Sequence, residues 1–354
     1  MNSLQSVNCL DKVVYASSFN SYSSALSLSK NEISHVILDV ASLKLNGDTF
    51  DIELTRGSDK ENVKKVNKDK IKNKEKIKMI SAKMNELENK VFDKTSVIKT
   101  EKVQDFLRDY SFDGFCVTVD GKGEEIPQVG QAVKVLSAFK NSLNSIKTCL
   151  VVKGKLAGLK SLNFTEVDTS VDKLAIVIDD PSANSIYHRF IPISGPNQDW
   201  SIEKMAEDLD KQKFDKSKIA ISFPIVHSSY RYYNNEICKP KGSSNGIKNL
   251  HDYDLKHSNS TYQWTERDVT DFEKDKTGFI KDEYLGSYFN CTSEEGPIPS
   301  ELHVLDSMDT INKKVQKFKE LGLGGLVLNG VDLTRKKYSF NKISKADGHC
   351  IPQN

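Results

Sequence analysis

Residues Phe112-Asp113-Gly114-Phe115-Cys116-Val117-Thr118-Val119-Asp120 join the end of an amphipathic helix to an apolar strand that finishes on an acid. Just upstream, in and beyond the stretch Thr100 to Asp109, Val103, Phe106, Leu107 and Tyr110 are spaced i, i+3, i+4, i+7 and share one helix face. The same unit recurs along the chain. Apolar runs stand at Val13-Val14-Tyr15, His35 to Val40, Ile77 to Ile80, Phe115 to Val119, Cys149 to Val152, Leu174 to Ile178, Ile219 to Phe223 and Leu326 to Leu328. Continuous runs of this kind, rather than strict alternation, fit strands covered on both faces. Strand candidates alternating with helices such as Ile311 to Leu321 read as a (β/α)8 barrel, with a doubly wound open sheet as the other solution.

One interval breaks the rhythm. From Val226 to Leu302 no βα unit is visible, and the span holds Tyr230, Tyr232, Tyr233, Tyr253, Tyr262 and Trp264 with a Gly/Ser/Asn loop at Gly242 to Gly246. It reads as an insertion domain, 226–302, between the seventh and eighth strands of a barrel formed by 1–225 and 303–354.

Composition removes several function classes. The 354 residues carry 51 Lys plus Arg against 49 Asp plus Glu, a formal +2, without the basic excess of a dedicated nucleic-acid binder. The Lys-rich interval Asp59 to Lys102 mixes both signs and reads as a solvated helix face. No apolar stretch approaches the roughly 18 residues that a membrane-spanning helix needs. No P-loop, dinucleotide fingerprint, zinc-protease motif or nucleophile elbow occurs, so no cofactor or metal is expected. The six Cys (Cys9, Cys116, Cys149, Cys238, Cys291, Cys350) form no C-x-x-C pair, and buried thiols and one or two disulfides are both open. Sequons stand at Asn163, Asn259 and Asn290. No signal peptide precedes the barrel in this chain; a cytosolic protein and a processed secreted one both fit.

At Asp113 to Asp120 the sequence resembles the glycoside hydrolase family 18 chitinases and chitinase-like proteins, whose fourth strand carries D-G-x-D-x-D-x-E. Other segments follow in the same order. Ile33 to Leu38 is similar to the second strand and Leu162 to Asp180 to the approach to the sixth-strand M-x-Y-D. Ser217 to Pro224 resembles the seventh strand, Lys276 to Cys291 part of the insertion, and Asp306 to Leu326 the last helix and strand. The resemblance implies a barrel with an α+β insertion and a cleft for chitin-type sugars. In active members the final Glu protonates the leaving group, and the Asp two residues earlier orients the substrate N-acetyl group, a departure from two-carboxylate glycosidases.

The functional positions have diverged. Asp113 and Gly114 match, but Cys116 and Thr118 stand where the family has Asp, and Asp120 where it has Glu. Ile178 replaces the sixth-strand Tyr while Asp179 matches, Asn329 replaces the eighth-strand Trp, and the third-strand S-x-G-G reads Ser81-Ala82-Lys83-Met84. Asp120 as acid is one methylene short, and displacement of a catalytic group by about 1 Å can cost roughly 100-fold. The resemblance therefore implies a catalytically inactive, secreted chitinase-like protein that binds chitin oligosaccharides or other glycans through Asp120, Asp179 and Trp264. A protein-receptor scaffold or effector subunit with a vestigial cleft is the alternative, and a weak chitinase using Asp120 the third. The resemblance also implies a Cys291–Cys350 disulfide. A monomer is expected.

Overall fold

The computed structural model describes residues 10–28, 33–56, 60–69, 76–84, 99–121, 129–143, 145–154, 162–177, 193–194, 201–222, 228–232, 260–263, 279–282, 287–292, 300–305 and 308–329. Eight parallel strands close into a barrel: β1 (Asp11–Ala16), β2 (His35–Asn46), β4 (Ile77–Met84), β5 (Gly114–Asp120), β6 (Lys147–Lys153), β7 (Lys173–Val177), β8 (Ile219–Ser222) and β14 (Gly325–Asn329). Closure is made by β1, which pairs with β14 on one side and β2 on the other. The helices α1 (Phe19–Leu26), α2 (Lys60–Asn67), α3 (Glu101–Tyr110), α4 (Val129–Ser142), α5 (Phe164–Ser170), α6 (Ile202–Lys211) and α7 (Met308–Glu320) lie between the strands in sequence. This is the (β/α)8 barrel; the open sheet is excluded by the β1–β2 pairing.

Side chains alternate across the barrel wall, as a two-residue period requires. Val14, Val36, Leu38, Phe115, Val117 and Leu150 belong to the outer shell packed with the helices. Val13, Ile37, Met79, Cys116, Cys149, Ala175, Ala220 and Val327 fill the interior as a separate cluster. The apolar runs are continuous because both faces are covered. Local chemistry starts and stops the helices: Ser201 Oγ accepts the Lys204 backbone N–H at 3.2 Å at the start of α6. At the end of α3, Ser111 turns the chain with φ +55.

Two additions decorate the barrel. Strand β2 runs beyond the wall and pairs antiparallel with β3 (Thr49–Leu54), turning at Gly47 with φ +65. Between β8 and β14 lies a five-stranded antiparallel sheet in the order β10 (Ser260–Gln263), β9 (Ser228–Tyr232), β13 (Ser300–Leu305), β12 (Ser287–Thr292), β11 (Ile280–Asp282). It is joined to α7 through Asp309, whose carboxylate receives Lys281 Nζ at 2.5 Å and the Tyr288 hydroxyl at 3.2 Å. Burial alone would lower the Lys281 pKa; the hydrogen bond and charge of Asp309 outweigh it and hold the ammonium above its usual range. Among the described residues no helix is long and apolar enough to cross a membrane.

The N-terminal end of the barrel is closed by a charged plug. Lys173 Nζ lies 2.5 Å from Asp11 Oδ2, and His35 Nδ1 lies 3.8 Å from Asp11 Oδ1 and 2.8 Å from Ser34 Oγ. Burial pulls His35 down to about 4, against the attraction of Asp11, so the ring is neutral at pH 7. Burial pushes Asp11 upward, but His35 and Lys173 more than offset it, Lys173 being the partner that carries charge at neutral pH.

Candidate functional site

The strands of such barrels deliver functional groups at their C-terminal ends. Here β5 places Thr118 in the mouth. Its side chain is 2% exposed, and Thr118 Oγ1 donates to Asp39 Oδ1 at 3.1 Å. Ser81, on β4, meets Thr118 Oγ1 at 2.5 Å; with the Thr118 proton committed to Asp39, Ser81 is the donor. Tyr15, at the end of β1, donates its hydroxyl to the other carboxylate oxygen, Asp39 Oδ2. Four strands thus contribute one connected hydrogen-bond network to a single carboxylate that is 8% exposed. Burial raises the Tyr15 pKa far above its usual value, and the charges of Asp39 and Asp120 raise it further, so the phenol stays a donor. On the rim, Lys153 Nζ stands 5.5 Å from the centre of the Tyr15 ring, close enough for a cation–π contact.

The remaining sequence candidates separate in space. Asp120 ends β5, exposed, in register with Lys153. Cys116 lies one interior layer below Thr118, fully buried, in register with Cys149 on β6. Both thiols are free, and burial together with the neighbouring Cys149 pushes the Cys116 thiol well above its usual pKa. Asp113 is at the opposite end of the barrel: its carboxylate accepts the Lys78 backbone N–H at 2.8 Å. Asp172 does the same one βα unit pair later, accepting the Thr148 backbone N–H at 2.9 Å. Each Asp precedes its strand and satisfies an amide of the adjacent wall strand that comes before it, β4 for Asp113 and β6 for Asp172.

Asn329 ends β14, and its backbone is in register with Tyr15, which puts that position at the mouth beside the network. Asn163 is exposed at the start of α5. Asn290 and Cys291 lie on β12 of the inserted sheet. Ile178, Asp179, Asn259, Trp264 and Cys350 lie outside the described residues, and with them the disulfide partner and the acidic and aromatic neighbours expected in the cleft.

Sequence reasoning did not single out Tyr15 and Asp39. The available signal was a polar residue near the C-terminal end of an otherwise apolar run, Val13-Val14-Tyr15 in one case and His35 to Val40 in the other.

No family model and no curated protein matches this chain. Among solved structures, the fold is that of the family 18 chitinases and chitinase-like proteins. Human YKL-39, described as a pseudo-chitinase with retained chitooligosaccharide binding, aligns with a TM-score of 0.67 at 14% identity, covering 96% of this chain and 98% of its own. A family 18 chitinase from Cycas revoluta, solved with allosamidin, aligns at 0.64 and 13% identity over 95% of this chain and 99% of its own. The chitinase-like agglutinin of Robinia pseudoacacia aligns at 0.62 and 13% identity, covering 95% and 99%. Structures of this fold therefore include an enzyme, a pseudo-enzyme and an agglutinin.

Proposed function

We infer that the protein is a catalytically inactive chitinase-like protein that binds a chitin-type oligosaccharide at the barrel mouth. The observation that carries this is the state of the fourth barrel strand. Where the resemblance expects carboxylates, Cys116 is packed against a second thiol in the interior and Thr118 is committed to Ser81 and Asp39. Neither side chain has a proton to transfer at neutral pH or a charge to place against a developing cation. General acid catalysis and electrostatic stabilisation each supply two or more orders of magnitude; with the acid position held by Asp120, one methylene short, and both assisting carboxylates replaced, negligible hydrolysis is left. A polar network beside the Tyr15 ring and the Asp120 and Lys153 rim suits sugar hydroxyls better than an apolar ligand.

Secretion, use of the sequons and the Cys291–Cys350 bridge belong to the same proposal, since an exposed Asn163 suits an extracellular glycoprotein. Calorimetric titration with an N-acetylglucosamine hexamer tests the binding, and release of a fluorogenic chitobioside tests the inactivity. Saturable heat without product supports the inference. Product that disappears in Asp120→Ala would replace it with a weak chitinase. Flat heats at two temperatures would point to a vestigial cleft and a protein partner.

A further inference from the structure

We propose that Asp39 is the group on which a sugar in the mouth is fixed, a carboxylate delivered by the second barrel strand in place of those missing from the fourth. This rests on the glycan-binding reading above. Three observations meet at this residue. First, it is more than nine-tenths buried, and among the described residues no ammonium or guanidinium pairs with it. A carboxyl group buried without a cation beside it carries a desolvation cost that the fold has to offset.

Second, the placement is that of function rather than stability. Asp39 is bonded to Tyr15 and Thr118, near the C-terminal ends of β1 and β5, whereas the paired charges, Asp11 and Lys173, close the N-terminal end. Third, its orientation is over-determined. Tyr15 and Thr118 donate to separate oxygens, and Ser81 holds Thr118 in turn. A carboxylate offers about four acceptor positions, so two remain after these internal bonds. Donors from two other strands, one of them held by Ser81 of a third, keep the group still, and the remaining lone pairs would receive a hydroxyl or amide N–H of the bound sugar. Charge-assisted hydrogen bonds to a preorganised acceptor are the strong kind. Thr118 then has a role of its own: it is a positioning residue for the carboxylate that stands beside it.

The test compares the wild-type chain, Asp39→Asn, Tyr15→Phe and Asp113→Asn in calorimetric titrations with the N-acetylglucosamine hexamer, alongside thermal unfolding. Asp39→Asn keeps the shape and is expected to weaken binding at least tenfold, with a melting temperature equal to or above that of wild type. Asp113→Asn, at the far end of the barrel, is expected to bind as wild type does. Should Asp39→Asn fail to fold, Tyr15→Phe serves: it leaves the charge but frees one oxygen to swing, and a severalfold loss of affinity is expected. Equal affinity of wild type and whichever of these two variants folds overturns this inference and leaves the lectin reading standing. Absence of hexamer binding by the wild type overturns both.

Discussion

Thr118 and Asp39 come from different strands of the barrel, and the hydroxyl of one donates to the carboxylate of the other at 3.1 Å. Threonine is thus more than a missing acid. Putting Asp back at this position would set two carboxylates within hydrogen-bond reach in a buried site, where like charges cannot both ionise. Thr118→Asp is expected to destabilise the protein by about 3 kcal/mol in urea unfolding, without creating chitinase activity. Adding Asp39→Asn should recover most of that loss. A double-mutant cycle giving simple additivity would contradict the coupling.

Gly114 lies where β5 begins, and a Cβ there would meet the Lys147 carbonyl oxygen at 2.6 Å. The obstacle is backbone of the neighbouring strand, which cannot swing aside. Gly114→Ala is expected to cost about 2 kcal/mol or more, as overpacking typically does. Denaturant midpoints measure it directly.

Asp113 precedes the same strand and answers the Lys78 amide. Asp113→Ala leaves a backbone donor short of its acceptor, with an expected loss of about 1–2 kcal/mol. Hexamer affinity should not change, because the residue is at the end of the barrel away from the mouth. Asp172→Ala is the matched control, since Asp172 answers the Thr148 amide in the same manner.

His35 sets an acid limit on stability. Its pKa is about 4 in the folded chain against 6.5 when unperturbed. Between those two values the unfolded chain binds the proton that the folded chain refuses, so unfolding is favoured as pH falls. The contribution is fully absent above the unfolded pKa and amounts to roughly 3 kcal/mol of lost stability by pH 4. His35→Gln is expected to flatten this part of the curve between pH 6.5 and 4 in urea titrations. A slope identical to that of wild type would remove His35 from the account.

Much of the barrel was legible because a strand covered on both faces is apolar almost throughout: Cys149 to Val152 is wholly so, and Phe115 to Val119 is broken only by Thr118. Helix α3 was legible for the complementary reason, its buried Val103, Leu107 and Tyr110 falling on one face. The site was legible only in part. Thr118 stood out because a resemblance supplied an expectation for it to depart from. Asp39 sits inside an apolar run, and only the closing of the wall brings it against Thr118, 79 positions further along the chain. The extension of β2 into a hairpin was also missed, although Asn46-Gly47 is a strong turn signal.

The inserted sheet begins and ends on neighbouring strands: Ser228 of β9 is the partner of Val304 of β13. A segment whose two ends meet asks its host to hold them no farther apart than a hairpin would. Loop-closure entropy grows only as the logarithm of length, about 0.6 kcal/mol for each doubling. The barrel can therefore carry this module, exchange it for another or lose it to a short linker at small thermodynamic cost, while the network around Asp39, built from wall strands alone, stays as it is.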